Sequence, residues 1–219
     1  MNNYHKYIKY KTKYLELKNI DVNNQYGGAP IKIDIINSRI IQIKTNEELA
    51  QYKDKLIELT KVCEPNDTFN PSLVENFDIF WVLIYNDDIV GYLKSQDLKQ
   101  FEDSEYFELL GGIKGKKGKK GKKGKKGKKG LQIGGACNGM PEKYSNLATP
   151  LLNEIEKYAK ENNYDYIVLH AGTDRDYLIG EGKRPGLYIK NGYRKERILK
   201  AGEGGFSDID LWILYKDIK

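Results

Sequence analysis

Residues 151–170 constrain the fold most, because apolar residues at helical spacing are followed directly by the pattern of a strand. Apolar residues recur at helical spacing and leave the opposite face to charged and amide side chains; they are Leu151, Leu152, Ile155, Tyr158 and Ala159. Asn162 and Asn163 follow, and asparagine tolerates the left-handed backbone that ends helices. Residues 164–170 are then short, aromatic and β-branched, which is typical of a strand. We therefore predict a helix packed on a sheet, followed by a strand.

A candidate strand also precedes this helix, at residues 131–137. Strand, helix and strand in this order predict a βαβ unit with two neighbouring parallel strands. The loop leading into the helix of such a unit suits a phosphate, because free N–H groups and the positive end of the helix dipole point there. In this chain the loop consists of Lys143, Tyr144, Ser145, Asn146, Leu147 and Ala148.

The loop and the strand before it resemble the core of the GCN5-related N-acetyltransferases (GNAT). In that family the loop reads Arg or Gln, two residues, Gly, one residue, and Gly or Ala, and its amides hold the pyrophosphate of coenzyme A. Lys143 stands at the first position, Asn146 at the glycine and Ala148 at the last. Asparagine keeps the left-handed geometry accessible at some cost relative to glycine. The resemblance implies acetyl-CoA as cofactor, with the pyrophosphate at residues 143–148 and the thioester carbonyl polarised by amides near Ala136, Cys137 and Asn138.

Residues 187–193 read Leu-Tyr-Ile-Lys-Asn-Gly-Tyr and are similar to the family's Leu-Tyr-x-x-x-Gly-Phe/Tyr ending. There the tyrosine on the helix often protonates the departing thiolate, and Tyr188 holds that position. A phenol with a pKa near 10 can do so because the departing thiolate has a conjugate-acid pKa of about 8 to 9, so proton transfer is close to balanced. The alternative is a core tyrosine with a satisfied hydroxyl, one of the 17 tyrosines of the chain.

The resemblance covers about residues 39–95 and 131–217. Residues 39–44 alternate as a strand, 47–61 as a helix, and 80–85 with 89–94 as a hairpin around Asn86, Asp87 and Asp88. Ile209, Leu211, Ile213 and Tyr215 alternate with polar and outward-facing residues as a closing strand. The predicted fold class is α/β, a mixed and mostly antiparallel sheet of about six or seven strands flanked by helices. We expect one acetyltransferase-like domain at residues 31–219, interrupted by residues 112–130.

Composition narrows the class of protein further. No stretch reaches the 18 or so apolar residues of a membrane span, and the N-terminus lacks the apolar core of a signal peptide, so a soluble, unsecreted protein is expected. The two cysteines, Cys63 and Cys137, are too few and too distant to suggest a disulfide scaffold or a zinc site, which favours a reducing compartment. Cys137 is predicted to be either a small buried strand residue or a reactive thiol.

Residues 112–130 form a Lys–Gly tract in which glycine recurs at every third position. Without its eleven lysines the formal net charge falls from +6 to −5, so the basic pI of about 9.0 belongs to the tract. The tract has no proline, and its lysines repel one another, so a disordered polycationic loop is predicted rather than a triple helix. Such a loop predicts nonspecific, salt-sensitive contact with polyanions; a neutral low-complexity expansion is the alternative.

Residues 1–30 form a basic, Tyr- and Lys-rich leader. Tyr4, Tyr7, Ile8, Tyr14 and Leu15 can share one helical face, and a Gly-Gly follows at 27–28. The segment resembles leaders of giant DNA virus proteins of the mimivirus type, which implies host cytoplasm, or the virion, as location and a candidate cleavage point between Gly28 and Ala29. A solvated basic helix with a flexible linker is the alternative.

These features predict an N-acetyltransferase that moves an acetyl group from acetyl-CoA to an amine of a small molecule or peptide by direct attack. Glu142, His170 and Asp174 are the candidates for the general base. The alternative function is a polyanion-binding or virion-associated protein that keeps the fold without catalysis. The sequence leaves the amine and the oligomeric state open.

Overall fold

The structure is a computed structural model of the 219-residue chain. It describes residues 31–32, 38–63, 79–115, 127–138, 144–145, 147–173, 179–181, 184–205 and 207–218. The leader at residues 1–30 and the central part of the Lys–Gly tract, residues 116–126, lie outside these ranges. The leader, the domain boundaries and the disorder of the tract therefore stay predictions.

The elements follow one another as two strands, a helix, a hairpin, two strands, a second helix, three strands, a short third helix and two final strands. They are β1 (Ile31–Lys32), β2 (Ser38–Ile43), α1 (Asn46–Cys63), β3 (Ile79–Tyr85), β4 (Asp88–Asp97), β5 (Gly130–Asn138), β6 (Tyr144–Ser145), α2 (Ala148–Glu161), β7 (Tyr166–Gly172), β8 (Gly180–Glu181), β9 (Arg184–Pro185), α3 (Leu187–Lys190), β10 (Arg194–Leu199) and β11 (Leu211–Asp217). A 3₁₀ turn, Leu98–Phe101, follows β4.

Seven strands form one sheet in the order β10-β11-β7-β5-β4-β3-β2. Every neighbouring pair is antiparallel except β5 and β7, which run parallel and are connected through α2. The predicted βαβ unit and the predicted fold class, a mostly antiparallel sheet of six or seven strands flanked by helices, are confirmed.

The β3–β4 hairpin shows why the local sequence folds as it does. Asn86 and Asp87 both adopt positive φ, 48° and 63°, which is the backbone of the tight turn that matches the twist of paired strands. Asparagine and aspartate are the non-glycine residues that enter this region most readily. The hairpin predicted around residues 86–88 is confirmed, and β4 resumes at Asp88.

Alternation along the strands divides the core between the two faces of the sheet. One face is covered by α2, whose buried side chains are Leu151, Leu152, Ile155 and Ala159. On the opposite face α1 covers β2 to β5 with Leu56 and Leu59. The rest of that face is covered by residues 98–113, which we call the covering segment; Phe107 and Leu110 pack there against β7 and β11.

Residues 98–111 of the covering segment carried no sequence prediction, and Gly112 and Ile113 were assigned to the Lys–Gly tract, yet the segment is anchored firmly. The hydroxyls of Tyr166 and Tyr215 both donate to the carbonyl oxygen of Gly111, at 3.1 and 3.0 Å. The amide of Ile113 donates to Tyr166 Oη at 3.1 Å. Immediately beyond, the amide of Lys128 donates to the carbonyl of Ile113 at 3.3 Å, so the Lys–Gly tract leaves the domain and returns to it at one place.

Some predicted boundaries are wrong. The strand expected from residue 164 begins at Tyr166, and the closing strand begins at Leu211, which leaves Ile209 exposed instead of in the alternating core. β10 was not predicted, because only Leu199 of its six residues is buried and a charged edge strand carries no apolar alternation. Within the described ranges, no helix is both long and apolar enough to cross a membrane.

Candidate active site

A cavity of about 210 Å³ lies where β5 and β7 separate. The two strands pair only from Gly130 with Tyr166 to Ile133 with Leu169. Beyond that point β5 continues along β4 and β7 continues along β11, so the two parallel strands part. The cavity is lined by Gln132, Ile133, Gly134, Gly135, Ala136, Leu169, His170 and Tyr188.

The separation divides β5 into two parts. Residues 130–133, the closed half, pair with β7, whereas residues 134–138, the open half, pair with β4 alone among the described strands. The change coincides with a bulge: Lys94 pairs with Gly135 and Ser95 with Ile133, which leaves Gly134 as an extra residue. Gly134 and Ala136 are exposed, and because glycine has no side chain and alanine only a methyl group, the backbone of the open half is accessible from the cavity. Backbone N–H groups in such a place can bind an acyl carbonyl.

Tyr188 reaches the cavity from α3. The amide of Tyr193 donates to the carbonyl of Tyr188 at 3.0 Å, and Gly192 between them adopts φ of +83°, so the glycine allows the helix to end sharply. The two rings meet edge to face, with centroids 5.8 Å apart. Tyr193 is buried, and burial raises the pKa of its hydroxyl. The motif thus provides one core tyrosine, Tyr193, and one at the cavity, Tyr188.

His170 lies on β7 at the opposite wall of the cavity. Its Nε2 is 2.9 Å from the carbonyl oxygen of Leu109 in the covering segment, and its Nδ1 is 3.3 Å from Nε2 of Gln132. Burial lowers the pKa of His170 and the charge of Arg197 acts in the same direction, against the hydrogen bond to Leu109. The imidazole is therefore held neutral at physiological pH, in the state in which it can accept a proton.

The predicted phosphate loop is described only in part. Lys143 and Asn146 lie outside the described residues, while Tyr144 and Ser145 form the two-residue strand β6, parallel to β1. Leu147 is buried at the cap of α2, and the helix begins at Ala148, the last residue of the predicted loop. Leu147 has no side-chain acceptor, so it does not cap the first N–H groups of α2.

The remaining predicted residues divide between the cavity and the core. Ala136 lines the cavity and Asn138 ends β5, but the side chain of Cys137 is buried on the α1 face, with Sγ 3.5 Å from the carbonyl oxygen of Leu59. Cys137 is disulfide-bonded, although the number and spacing of the cysteines did not suggest a disulfide scaffold, and cysteine usage therefore no longer argues for a reducing compartment. The base candidates Glu142 and Asp174 lie outside the described residues; His170 is the candidate that the structure brings to the cavity.

Sequence reasoning missed Gln132 and Gln96. Gln132 is only 3% exposed, and its Oε1 accepts a hydrogen bond from Nε2 of Gln96. The signal was present, since Gln132 lies between Leu131 and Ile133 and strand alternation directs it to the other face of the sheet. A buried amide on that face requires a partner, and His170 is one. Among the described residues, no group of three His, Cys, Asp or Glu side chains could hold a metal ion.

Three solved structures with similar folds contain a bound coenzyme A derivative. Arabidopsis thaliana Naa50, in complex with the bisubstrate analogue CoA-Ac-MVNAL, matches over 83% of this chain and 99% of its own, with 16% identity and a TM-score of 0.55. Arabidopsis thaliana NAA60, in complex with acetyl-CoA, matches over 82% and 100%, with 15% identity and a TM-score of 0.56. The GNAT-like decarboxylase GphF, in complex with isobutyryl-CoA, matches over 83% and 100%, with 17% identity and a TM-score of 0.53.

These likenesses establish the fold. The chain has the GNAT acetyltransferase fold, with β5 and β7 as the parting strands and α2 between them. No family sequence model matches the chain, and no curated protein matches it in sequence. At identities of 15 to 17% the fold is shared with a decarboxylase as well as with acetyltransferases, so the fold alone does not specify the reaction.

Proposed function

We propose that the protein transfers an acetyl group from acetyl-CoA to an amine. The observation that carries this proposal is the cavity at the parting of β5 and β7, where the open half of β5, Tyr188 and His170 meet. Backbone donors for an oxyanion, a phenol and a neutral imidazole are the three groups that acyl transfer to an amine requires.

The residues that line the cavity and the start of α2 are suited to binding acetyl-CoA. The cavity of about 210 Å³ can hold a thioester group and the end of its arm but not a whole nucleotide, so the remainder would lie outside it. The open half of β5 offers backbone to an extended arm, and the start of α2 offers N–H groups to a pyrophosphate. When bound, acetyl-CoA supplies an activated acyl carbon attached to a good leaving group.

Each site residue has a defined task in this proposal. The amides near Ala136, Cys137 and Asn138 polarise the thioester carbonyl and stabilise the negative charge that forms on its oxygen. His170 accepts the proton that the attacking amine loses as the carbon–nitrogen bond forms. Tyr188 donates its proton to the sulfur as the carbon–sulfur bond breaks, and regains one from solvent.

The acceptor is proposed as a primary amine of a small molecule or a peptide. Apart from the tract, the chain carries a formal charge of −5, which favours a cationic acceptor. The analogue in the Naa50 complex contains the peptide sequence MVNAL, so a peptide amino terminus belongs in the first set of acceptors to be tested. The proposed location remains the host cytoplasm or the virion.

Binding is tested first by thermal unfolding with acetyl-CoA. A ligand at 100 times its dissociation constant stabilises the native state by about 2.7 kcal/mol. Asn146→Asp should weaken binding, because it places a negative charge at the predicted pyrophosphate position. Asn153→Asp, on an exposed position of α2, is the matched control and should bind like the parent. Equal affinities of both variants and the parent by titration calorimetry would locate the phosphate site elsewhere.

Transfer is then tested with an amine panel that includes polyamines, lysine peptides and peptide amino termini. Release of free thiol and appearance of the acetylated amine should depend on Tyr188 but not on the exposed Tyr106, so Tyr106→Phe is the control for Tyr188→Phe. Binding of acetyl-CoA without transfer to any amine would favour the non-catalytic alternative.

A further inference from the structure

His170 belongs to a chain of hydrogen bonds that crosses three elements of the fold. Gln96 on β4 donates through Nε2 to Oε1 of Gln132 on β5. Nε2 of Gln132 faces Nδ1 of His170 at 3.3 Å, and Nε2 of His170 faces the carbonyl oxygen of Leu109 at 2.9 Å. The network lies on the face opposite α2, between the area covered by α1 and the area covered by the covering segment.

The chemistry of these groups fixes every proton position. A carbonyl oxygen only accepts, so Nε2 of His170 must carry the hydrogen directed at Leu109. A neutral imidazole then has an acceptor at Nδ1, and the group facing it must be a donor. Gln132 meets this demand, because Gln96 already occupies its Oε1 and leaves its NH₂ group directed at the ring.

We propose that Gln132, held by Gln96, is a positioning residue: together with the carbonyl of Leu109 it holds neutral His170 in the Nε2–H form, and its amide must turn away from Nδ1 before that atom can take up a proton. This inference rests on the proposed acetyl transfer for its catalytic meaning. The geometry of the network itself does not depend on that reaction.

The amides of Gln132 and Gln96 can also rotate when the ring of His170 gains a proton. After Nδ1 has gained a proton the ring donates from both nitrogens, and a half-turn of the Gln132 amide presents Oε1 to it. The same half-turn of the Gln96 amide restores the bond between the two glutamines. Two amides in series thus reverse their polarity without losing a hydrogen bond, which a single buried amide with fixed partners could not do.

The covering segment supplies the other half of the positioning. Leu109 is held two residues before Gly111, whose carbonyl accepts from both Tyr166 and Tyr215. The acceptor for Nε2 is therefore anchored to β7 and β11, and only the glutamine side can rearrange.

The test reads the tautomer directly by ¹⁵N NMR of the imidazole nitrogens in the full-length parent protein. The chain has two histidines, so a His5→Gln variant leaves His170 alone in the spectrum. We expect neutral His170 to carry its proton on Nε2, with Nδ1 unprotonated. A parent protein with the proton on Nδ1 would overturn the proposal without any variant.

Two variants then change the donor that faces Nδ1. Gln132→Glu presents an acceptor that carries negative charge and should raise the titration midpoint of His170 by about 1 to 3 pH units. Gln132→Met removes the hydrogen bond at similar length; the neutral ring should keep its proton on Nε2, because the carbonyl of Leu109 still requires it there, and the titration midpoint should rise less than in Gln132→Glu. Gln42→Glu, on β2 at the far edge of the sheet, is the matched control and should leave His170 unchanged.

Kinetics separate this inference from the proposed function. With the best amine, the acid limb of kcat/KM should move with the NMR midpoint in Gln132→Glu and stay in place in Gln42→Glu. A Gln132→Glu protein that folds but titrates like the parent would contradict the positioning role. The expected tautomer and midpoints without any acetyl transfer would support the network and refute the proposed reaction.

Discussion

The two halves of β5 show how one strand can build the core and the site in turn. The closed half, residues 130–133, pairs with β7 and contributes the buried Leu131 and Ile133 to the core under α2. The open half, residues 134–138, has a bulge at Gly134 and exposes Gly134 and Ala136. Pairing on both sides fixes the first half, whereas its loss on one side leaves the second half available to a ligand. Substitutions in the closed half should therefore change mainly the stability of the protein, whereas changes at the open half should affect mainly the reaction.

Truncation in the closed half should have the largest effect. Leu131 is fully buried, so Leu131→Ala should lower the free energy of unfolding by about 2 to 5 kcal/mol. Ala136→Gly, the matched change in the open half, removes an exposed methyl group and should cost less than about 1 kcal/mol. Urea unfolding of the two variants measures the difference. Similar losses for both would show that the two halves are equally structural.

Removal of the Tyr188 hydroxyl, which lies at the cavity beside the open half of β5, should reduce kcat without changing the stability of the protein. Tyr188→Phe should lower kcat about ten-fold to a few hundred-fold with little change in acetyl-CoA affinity, because the proton for the leaving thiolate is lost. Steady-state kinetics with the best amine, together with a thermal midpoint near that of the parent, check this. Unchanged turnover would make Tyr188 a packing residue.

The pH dependence should follow the neutral form of His170. Burial lowers the pKa of His170 from its ordinary value of 6.5, so kcat/KM should rise with pH through a midpoint below 6.5. The same shift bears on stability, since the unfolded chain binds the proton more readily than the folded protein. The contribution of His170 to stability is complete above about pH 6.5 and is lost as pH falls through the folded-state pKa. An acid limb above pH 6.5, or one that persists in His170→Gln, would contradict the assignment.

Removal of the Lys–Gly tract should have the smallest effect on both halves of β5. The two ends of the tract lie side by side, because the amide of Lys128 donates to the carbonyl of Ile113. A short Gly–Ser turn in place of residues 114–129 can therefore join the same two points of the domain. We expect the thermal midpoint and kcat to stay near those of the parent, while salt-sensitive retention on a nucleic-acid column disappears. A variant that loses its fold or its acetyl transfer would make the tract part of the active architecture. A parent protein that is not retained would refute polyanion contact.

Local sequence patterns predicted the elements with strong periodicity. The spacing of Leu151, Leu152 and Ile155 predicted α2, and the asparagine and aspartate at residues 86–87 predicted the β3–β4 turn. β10 was not predicted, because its charges are distributed without alternation. The packing of residues 98–111 was not predicted either, because the hydrogen bonds of Gly111 with Tyr166 and Tyr215 join residues that are 55 and 104 positions apart. Interactions at such separation leave no period in the local sequence.

The sequence by itself determined the βαβ order and placed Tyr188 in a recognisable motif, since both depend on residues close together in the chain. It also included His170 among three candidate bases. Only the tertiary structure decided where β5 and β7 part, and thus which half of β5 opens to a cavity. It also brought Gln96, Gln132 and the carbonyl of Leu109 to His170 from separate elements. The physical reason is that a proton position is set by the groups that surround the ring in space, and those groups come together only when the sheet forms.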